Sequence, residues 1–301
     1  MRAVRFTEFG PADVLEVVEV PDPVPGPGEE LVRVTAIGVN YGETVIRSGK
    51  GRKLFPWYPA ALTPTGQLGT EVVGTTEDGR RIIGVPSGDG YAELAAVKDG
   101  VEVPDHITDH EALALLLQGS TAVQAVERAR VAPGDRVLVE AAGGGVGGLL
   151  VQLAARAGAT VVAAASSAEK LAHARELGAH ETVDYSAEGW TEQVGEVDVV
   201  FSSVGGTTAR QSFDLLRPGT GRLVVFGFAS GEPLDVTASD VFAKGVSLIG
   251  LGNPLTPDNV RKVFELDLKT TLGDALPLAD AARAHEALES RATTGKLILV
   301  P

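Results

Sequence analysis

Three stretches of this chain carry residue types whose spacing bears on chemistry. The first is Ala142-Gly143-Gly144-Gly145-Val146-Gly147-Gly148, entered directly from the apolar run Val137-Leu138-Val139-Glu140-Ala141. A pyrophosphate is held by backbone N–H groups and a helix N-terminus, and a Cβ at the turn obstructs its approach. Glycines so spaced between a strand and a helix are the pattern of a dinucleotide-binding turn. Two frames fit, Ala142/Gly144/Gly147 and Gly143/Gly145/Gly148. The first begins right after the strand and puts Gly147 where helix and sheet pack closely, so it is preferred. A glycine-rich structural turn without a ligand is the alternative.

The second stretch lies about 20 positions on, where NAD-binding proteins place a carboxylate for the ribose 2′-hydroxyl. Here the run is Val161-Val162-Ala163-Ala164-Ala165-Ser166-Ser167, without an acid, and Lys170 follows. Two hydroxyls and an ammonium accept a 2′-phosphate that a carboxylate would repel. The expected cofactor is therefore NADPH. The alternative for Lys170 is a solvated place on the next helix.

The third is the close pair His106 and His110. It straddles an expected helix start with no carboxylate in register, which reads as surface or cap residues and not as metal ligands. The chain contains no cysteine, so it has no disulfide, thiolate nucleophile or thiolate metal site. No metal is expected.

Positioning these groups requires strands and helices in alternation. After Pro104, the run Thr108-Asp109-His110-Glu111 has the form of a capping box and opens a helix through Ala129. Strands are expected at 136–141, 160–165, 181–184, 197–203, 221–226 and 247–251, and helices at 146–157, 168–177 and 207–216. Strands apolar on both faces between amphipathic helices mean a doubly wound parallel sheet, an α/β fold. The first hundred residues read differently. Strands are expected at 30–40, 71–75, 81–85 and 91–97, punctuated by Pro25-Gly26-Pro27-Gly28, Glu77-Asp78-Gly79 and Ser87-Gly88-Asp89-Gly90, as in a small irregular barrel. From Thr256 the tail looks helical and ends in the strand-like Lys296-Leu297-Ile298-Leu299-Val300. It is expected to return to the first domain.

Composition narrows the function classes. A length of 301 residues accommodates two domains of ~150 residues each. The balance of 26 basic against 40 acidic residues gives −14, a field that repels nucleic acid and anionic lipid surfaces. No run approaches the ~18 apolar residues of a membrane span. The start, Met1-Arg2-Ala3-Val4-Arg5-Phe6, lacks the apolar segment of a secretion signal. The expectation is a cytoplasmic protein acting on a small molecule.

With these residues placed, nearly the whole chain resembles the medium-chain dehydrogenase/reductase superfamily, in its zinc-free quinone oxidoreductase (zeta-crystallin-like) branch. The resemblance is carried by Gly38-Val39-Asn40, Ile46-Arg47-Ser48-Gly49, Gly90-Tyr91-Ala92-Glu93, Gln118-Gly119-Ser120-Thr121-Ala122, the glycine turn, Leu216-Arg217-Pro218-Gly219 and Ala284-His285-Glu286-Ala287-Leu288 through Lys296. It implies a GroES-like β-barrel catalytic domain from residues 1–115 and 254–301, a Rossmann domain from 116–253, and NADPH in the cleft between. It also implies hydride transfer to a quinone or to the C=C bond of an α,β-unsaturated carbonyl, and a homodimer formed through the Rossmann sheet edge. The cofactor set it implies begins with Thr121 and the turn residues Gly144, Gly145, Val146 and Gly147. Ser166, Ser167, Lys170 and Tyr185 serve the adenosine 2′-phosphate region. Val204, Phe226, Phe228 and Gly250 run beside ribose and nicotinamide, with Arg291 near the cofactor.

Zinc-dependent relatives carry a cysteine close after the Gly-Val pair, where this chain has Asn40. In the family pattern Asn40 is the expected hydrogen-bond donor to a carbonyl oxygen that gains charge, with Tyr41 as a substitute for the phenol missing at Val45. Their alternatives are an amide satisfying backbone groups at a strand end and an outward or core aromatic. Val45 replaces a usual tyrosine, Ser202 a usual aspartate and Phe228 a usual asparagine. The stretch 52–65, with Phe55-Pro56-Trp57-Tyr58-Pro59, is either a stiff apolar pocket wall or ordinary loop packing. These departures leave open a specialised enzyme with altered chemistry, or an NADPH-binding protein without turnover.

Overall fold

A computed structural model describes residues 1–54, 64, 66–291 and 293–301. The stretch Phe55-Pro56-Trp57-Tyr58-Pro59 lies outside them, and with it the expectation of a pocket wall. Strands β1 (Arg2–Arg5) and β2 (Glu16–Glu19) pair antiparallel with Arg2 opposite Glu19 and Arg5 opposite Glu16, so opposite charges face each other across the ladder. Strand β3 (Glu29–Val39) is the longest. It alternates buried Val32 and Val34 with exposed Arg33 and Thr35, then buries every residue from Ala36 to Val39. The register on β4 (Val72–Thr76) slips between Val34 and Ala36, a bulge that bends the strand. Beyond β4 lie β5 (Arg81–Gly84), β6 (Leu94–Lys98) and β7 (Val101–Glu102), with β6 returning to pair with Glu29–Arg33. Strand β6 starts later than the expected 91–97, because Tyr91 bonds across to Leu68 and Val4.

Two helices follow β3 before β4: α1 (Tyr41–Arg47) and the short α2 (Gly51–Leu54). Helix α3 (Asp109–Ala129) opens on the expected capping box. The Glu111 carboxylate accepts from Thr108 N at 2.9 Å, and the Thr108 hydroxyl accepts from Glu111 N at 3.3 Å.

The parallel sheet is built from β8 (Arg136–Val139), β9 (Thr160–Ala165), β10 (Glu181–Asp184), β11 (Val199–Ser202), β12 (Arg222–Val225) and β13 (Ser247–Gly250). Its order is β10-β9-β8-β11-β12-β13, every pair parallel. Helices α4 (Gly145–Arg156), α5 (Ala168–Glu176), α6 (Trp190–Val194), α7 (Gly206–Asp214) and α8 (Ala238–Lys244) connect the strands. Winding proceeds outward in both directions from β8 and β11, the doubly wound arrangement with its switch point between those two strands. The core of this sheet joins Leu138, Val162, Val200 and Leu223 to Trp190 and Phe213.

The last fifty residues give α9 (Pro257–Phe264), β14 (Leu272–Pro277), α10 (Ala281–Glu289) and β15 (Lys296–Val300). Strand β15 pairs antiparallel with β3 and parallel with β14, one parallel pair in an otherwise antiparallel sheet. The chain divides into two compact units: Met1–Leu117 with Val260–Leu266 and Thr270–Pro301, and Gln118–Asn259 with Asp267–Lys269. Among the described residues no helix is long and apolar enough to cross a membrane.

Candidate functional site

The glycine turn sits at the carboxyl end of β8, in the parallel-sheet unit. Ala141 takes a left-handed conformation (φ +50), and Gly144 N donates to the Ala141 carbonyl at 2.8 Å. Gly144 is extended and caps α4, whose first bond runs from Gly148 N to Gly144 O at 2.9 Å. No acidic residue occupies the first turn of α4, so its positive end faces no competing carboxylate of its own. A Cβ on Gly147 would press on the Ala141 carbonyl and lie 2.8 Å from Ala142 Cα, both backbone. On Gly148 it would meet only the flexible tip of Leu177 at 2.9 Å. The close-packing demand thus falls on Gly147, as the Ala142/Gly144/Gly147 frame requires.

Lys170 comes to this turn. A Cβ on Gly143 would collide with Lys170 Cβ at 2.6 Å and Cγ at 2.7 Å, so the lysine stem lies against the glycine turn. Ser167 caps α5, accepting from Lys170 N at 3.3 Å. Ser166 is exposed and follows directly on the buried end of β9. Tyr185 N donates to Ala165 O at 3.2 Å, which fixes the half-buried tyrosine beside the same strand end. Ser166, Ser167, Lys170 and Tyr185 are therefore gathered at the carboxyl ends of β9 and β10.

On the other side of β8, Val204 is buried after β11, while Phe226 and Phe228 are half-buried after β12. Phe226 N donates to Ser202 O at 3.0 Å. Gly250 is exposed, and its carbonyl accepts from Arg128 Nη1 at 2.9 Å. Thr121 is buried in α3. The sequence reading passed over Glu140, which is fully buried at the end of β8. Burial pushes its carboxyl up, against donors on Val204, Ser203 and Ser202 that favour the charged form. An acid inside the apolar run Val139-Glu140-Ala141 was the available signal.

In the other unit, Asn40 and Tyr41 stand at the junction of β3 and α1. Asn40 is 6% exposed. Its Nδ2 donates to Thr70 Oγ1 at 2.9 Å and to Glu71 Oε1 at 2.8 Å, while its Oδ1 accepts from Lys296 Nζ at 2.8 Å. Lys296 also pairs with Glu71 Oε1. Both amide hydrogens are thus committed, so donation to a substrate oxygen requires one of these bonds to be exchanged. Besides these side chains, the Asn40 side chain accepts from the Glu43 backbone N–H, closing a capping box at the start of α1. Gly38 has no room for a side chain, because a Cβ there would lie 2.7 Å from Glu71 Cδ. Tyr41 is half-buried. Val45, at the position of the usual tyrosine, is buried in α1.

Glu43, in the first turn of α1, gathers four donors. Its Oε2 accepts from Asn40 N at 2.8 Å and Tyr91 Oη at 2.7 Å, and its Oε1 from Thr70 N at 2.7 Å and Thr70 Oγ1 at 3.1 Å. Burial pushes Glu43 up and Tyr91 well up. Tyr91 Oη lies 3.1 Å from His285 Nε2, and the buried His285 Nδ1 has no hydrogen bond. Arg291, exposed and left-handed (φ +58), follows α10 in this unit. Among the described residues no group of three or more His, Cys, Asp or Glu side chains is placed to hold a metal ion.

A parallel sheet with a glycine turn at its switch point, joined in one chain to an antiparallel sheet unit closed by the C-terminal strand, is the build of a medium-chain dehydrogenase/reductase. A family model described as zinc-binding dehydrogenase matches residues 145–267. A quinone oxidoreductase of Pseudomonas aeruginosa is 34% identical over 332 positions, covering 100% of this chain and 99% of the relative. A 2-haloacrylate reductase of Burkholderia is 32% identical, covering 100% and 99%. The structure of Escherichia coli quinone oxidoreductase complexed with NADPH matches with a TM-score of 0.89 at 29% identity, covering 100% of both chains. The chain belongs to the quinone oxidoreductase family of medium-chain dehydrogenases/reductases.

The buried histidine makes a checkable demand on stability. Burial, reinforced by the charge of Arg47, pulls His285 from 6.5 down to about 3. Below pH 6.5 the unfolded chain takes up a proton that the folded chain refuses, so stability falls as pH falls toward 3. Glu43 and Glu140, both raised by burial, work in the opposite sense, since their stabilisation is lost as pH rises. Comparing wild type with His285→Gln isolates the histidine. Between pH 6.5 and 4 the stability gap between them should narrow by about 3 kcal/mol, at ~1.4 kcal/mol per pH unit. Urea titrations at several pH values measure this, and a gap constant with pH would refute the assignment.

Proposed function

We propose that this chain is an NADPH-dependent, zinc-independent reductase that transfers hydride to a quinone or to the C=C bond of an α,β-unsaturated carbonyl. The observation that carries this reading is the glycine turn at the switch point with the Lys170 stem laid against it. Relatives named quinone oxidoreductase and 2-haloacrylate reductase bracket the acceptor class, and a relative crystallised with NADPH supports the cofactor. When bound, NADPH supplies the hydride, and the protein's task is orientation and exclusion of water. Gly144, Gly145, Val146 and Gly147 take the pyrophosphate at the N-terminus of α4. Ser166, Ser167, Lys170 and Tyr185 take the 2′-phosphate, while Thr121, Val204, Phe226, Phe228, Gly250 and Arg291 complete the cofactor set.

Tyr41 is the proposed donor to the substrate oxygen, because the Asn40 amide hydrogens are held by Thr70 and Glu71. Asn40 then acts by fixing the start of α1, which carries Tyr41. The proposed homodimer forms along the β13 edge, where Leu248 is 43% exposed and Phe242 of neighbouring α8 is 89% exposed. An unpaired edge beside exposed apolar side chains is a template for a second copy. Sedimentation at micromolar concentration should give a dimer for wild type and a shift toward monomer for Leu248→Lys. A wild-type monomer would remove the interface.

Cofactor choice is tested with Lys170→Met, which keeps the stem over Gly143. One charge-assisted hydrogen bond is worth ~1.5–3 kcal/mol, so the Kd for NADPH should rise roughly ten- to a hundred-fold. The Kd for NADH should hardly move. Equal wild-type affinity for both cofactors would sink the NADPH assignment.

The chemistry is tested after exhaustive chelation, with NADPH carrying deuterium on its reactive face and a panel of enones and quinones. Turnover should persist, and deuterium should appear at the β-carbon of the reduced enone. Oxidation of simple alcohols without deuterium reaching carbon would replace this reading with an alcohol dehydrogenase. Tight NADPH binding without turnover on any acceptor would favour a binding protein.

A further inference from the structure

The carboxylate of Glu140 lies where the two halves of the parallel sheet part company. In open α/β sheets the ligand crevice lies outside the carboxyl ends of the strands at the point where their order reverses. Here that point is between β8 and β11, and Glu140 is the first residue past β8. Its backbone N donates to Phe201 O at 3.1 Å, continuing the ladder for one more residue. Its side chain then reaches to the loop after β11. Oε2 alone accepts from Ser202 Oγ at 3.1 Å, Ser203 N at 3.0 Å and Val204 N at 3.0 Å.

The same loop is held from its other side through its carbonyls. Ala229 N donates to Ser203 O at 2.8 Å and Ser230 N to Val204 O at 2.7 Å, both from the loop after β12. Beyond this clamp the chain turns into α7 through Gly205 (φ +80) and Gly206 (φ +55). Both peptide N–H groups of the clamped pair thus end on one side chain, and that side chain is fully buried. An acid in an apolar interior is costly unless donors converge on it; three converge on Oε2, while Oε1 is buried without a hydrogen bond.

We propose that Glu140 is a positioning residue of the cofactor site: it latches the loop Ser203–Gly206 to the end of β8 and so fixes the crevice wall on the ribose–nicotinamide side. It takes no part in holding the adenosine 2′-phosphate, whose proposed contacts lie at the ends of β9 and β10. The latch rests on the NADPH reading above.

The test compares Glu140→Leu, similar in volume without an acceptor, with Glu140→Gln, whose amide oxygen still accepts. Kd values are measured for NADPH and for adenosine 2′,5′-bisphosphate, which lacks the nicotinamide half. Glu140→Leu should weaken NADPH roughly ten- to a hundred-fold and leave the bisphosphate within about two-fold. Glu140→Gln should keep NADPH within about three-fold. In the ligand-free protein, amide hydrogen exchange at Ser203 and Val204 should be slow in wild type and at least about ten-fold faster in Glu140→Leu. Equal weakening of both nucleotides, or NADPH affinity unchanged in Glu140→Leu, overturns the proposal. Unprotected Ser203 and Val204 amides in wild type overturn it without any variant, which covers a Glu140→Leu chain that does not fold. Failure of the NADPH reading shows elsewhere, as a wild-type protein that binds neither nucleotide.

Discussion

An ionisable oxygen taken out of water must find its donors inside the fold, and each unit of this protein is arranged round a carboxylate that does so. Glu43 collects Asn40 N, Tyr91 Oη and two groups of Thr70. Glu140 collects Ser202, Ser203 and Val204. In each case the acid joins segments distant in sequence, and the energetic asymmetry is the same. A satisfied cluster contributes modestly, while an orphaned buried charge costs several kcal/mol. The elements that supply the donors are therefore fixed with little slack. For Glu43 these are α1, the segment before β4, and Tyr91. For Glu140 they are the ends of two central strands.

That dependence on distant partners separates what was legible in the sequence from what was not. Strands 160–165 and 181–184 were readable residue for residue, because left-handed Gly158 and Gly178 sit just ahead of each. Helix α5 was placed to within a residue at its end, its Ser167 cap being local chemistry. The glycine turn carried its meaning for the same reason: strand, turn and helix are consecutive. Helix α1 was unreadable, since Thr44, Val45 and Ile46 oppose helix by propensity and the segment is held by Glu43 and by burial. Strand β14, with four of six residues exposed, has no alternation to detect. The Asn40 cluster had no signal at all. Lys296 lies 256 positions from Asn40, and no local spacing encodes such a meeting.

The departures from the family pattern acquire physical accounts of unequal kind. Ser202 stands where an aspartate is usual, and its hydroxyl donates to Glu140, so a carboxylate is present at this junction but is supplied by β8. Val45 is buried, so the place of the usual tyrosine has become part of the apolar packing of α1. A phenol remains in the segment at Tyr41, four residues earlier on the helix. Residues i and i+4 share a helix face, which makes the exchange geometrically modest. Nothing in the structure explains Phe228.

The net charge poses the remaining question, because −14 is an unfavourable background for an anionic cofactor. The resolution is one of range. At physiological ionic strength the Debye length is about 8 Å, so most of the acidic surface is screened from any one point in the crevice. What acts at contact distance is local: the bare positive end of α4, without an acid in its first turn, and the Lys170 stem against Gly143. Carboxylates close by are turned to other work. Glu140 is spent on the amides of Ser203 and Val204, and Asp184 accepts from the Ser186 amide and hydroxyl. An acidic protein can thus hold a polyanion where the groups at contact distance have the right sign, even with the exposed Glu169 in the first turn of α5. The same arrangement predicts which substrates the long-range field disfavours. A neutral quinone or enone meets no penalty on approach, whereas an anionic acceptor meets a long-range one that salt screens.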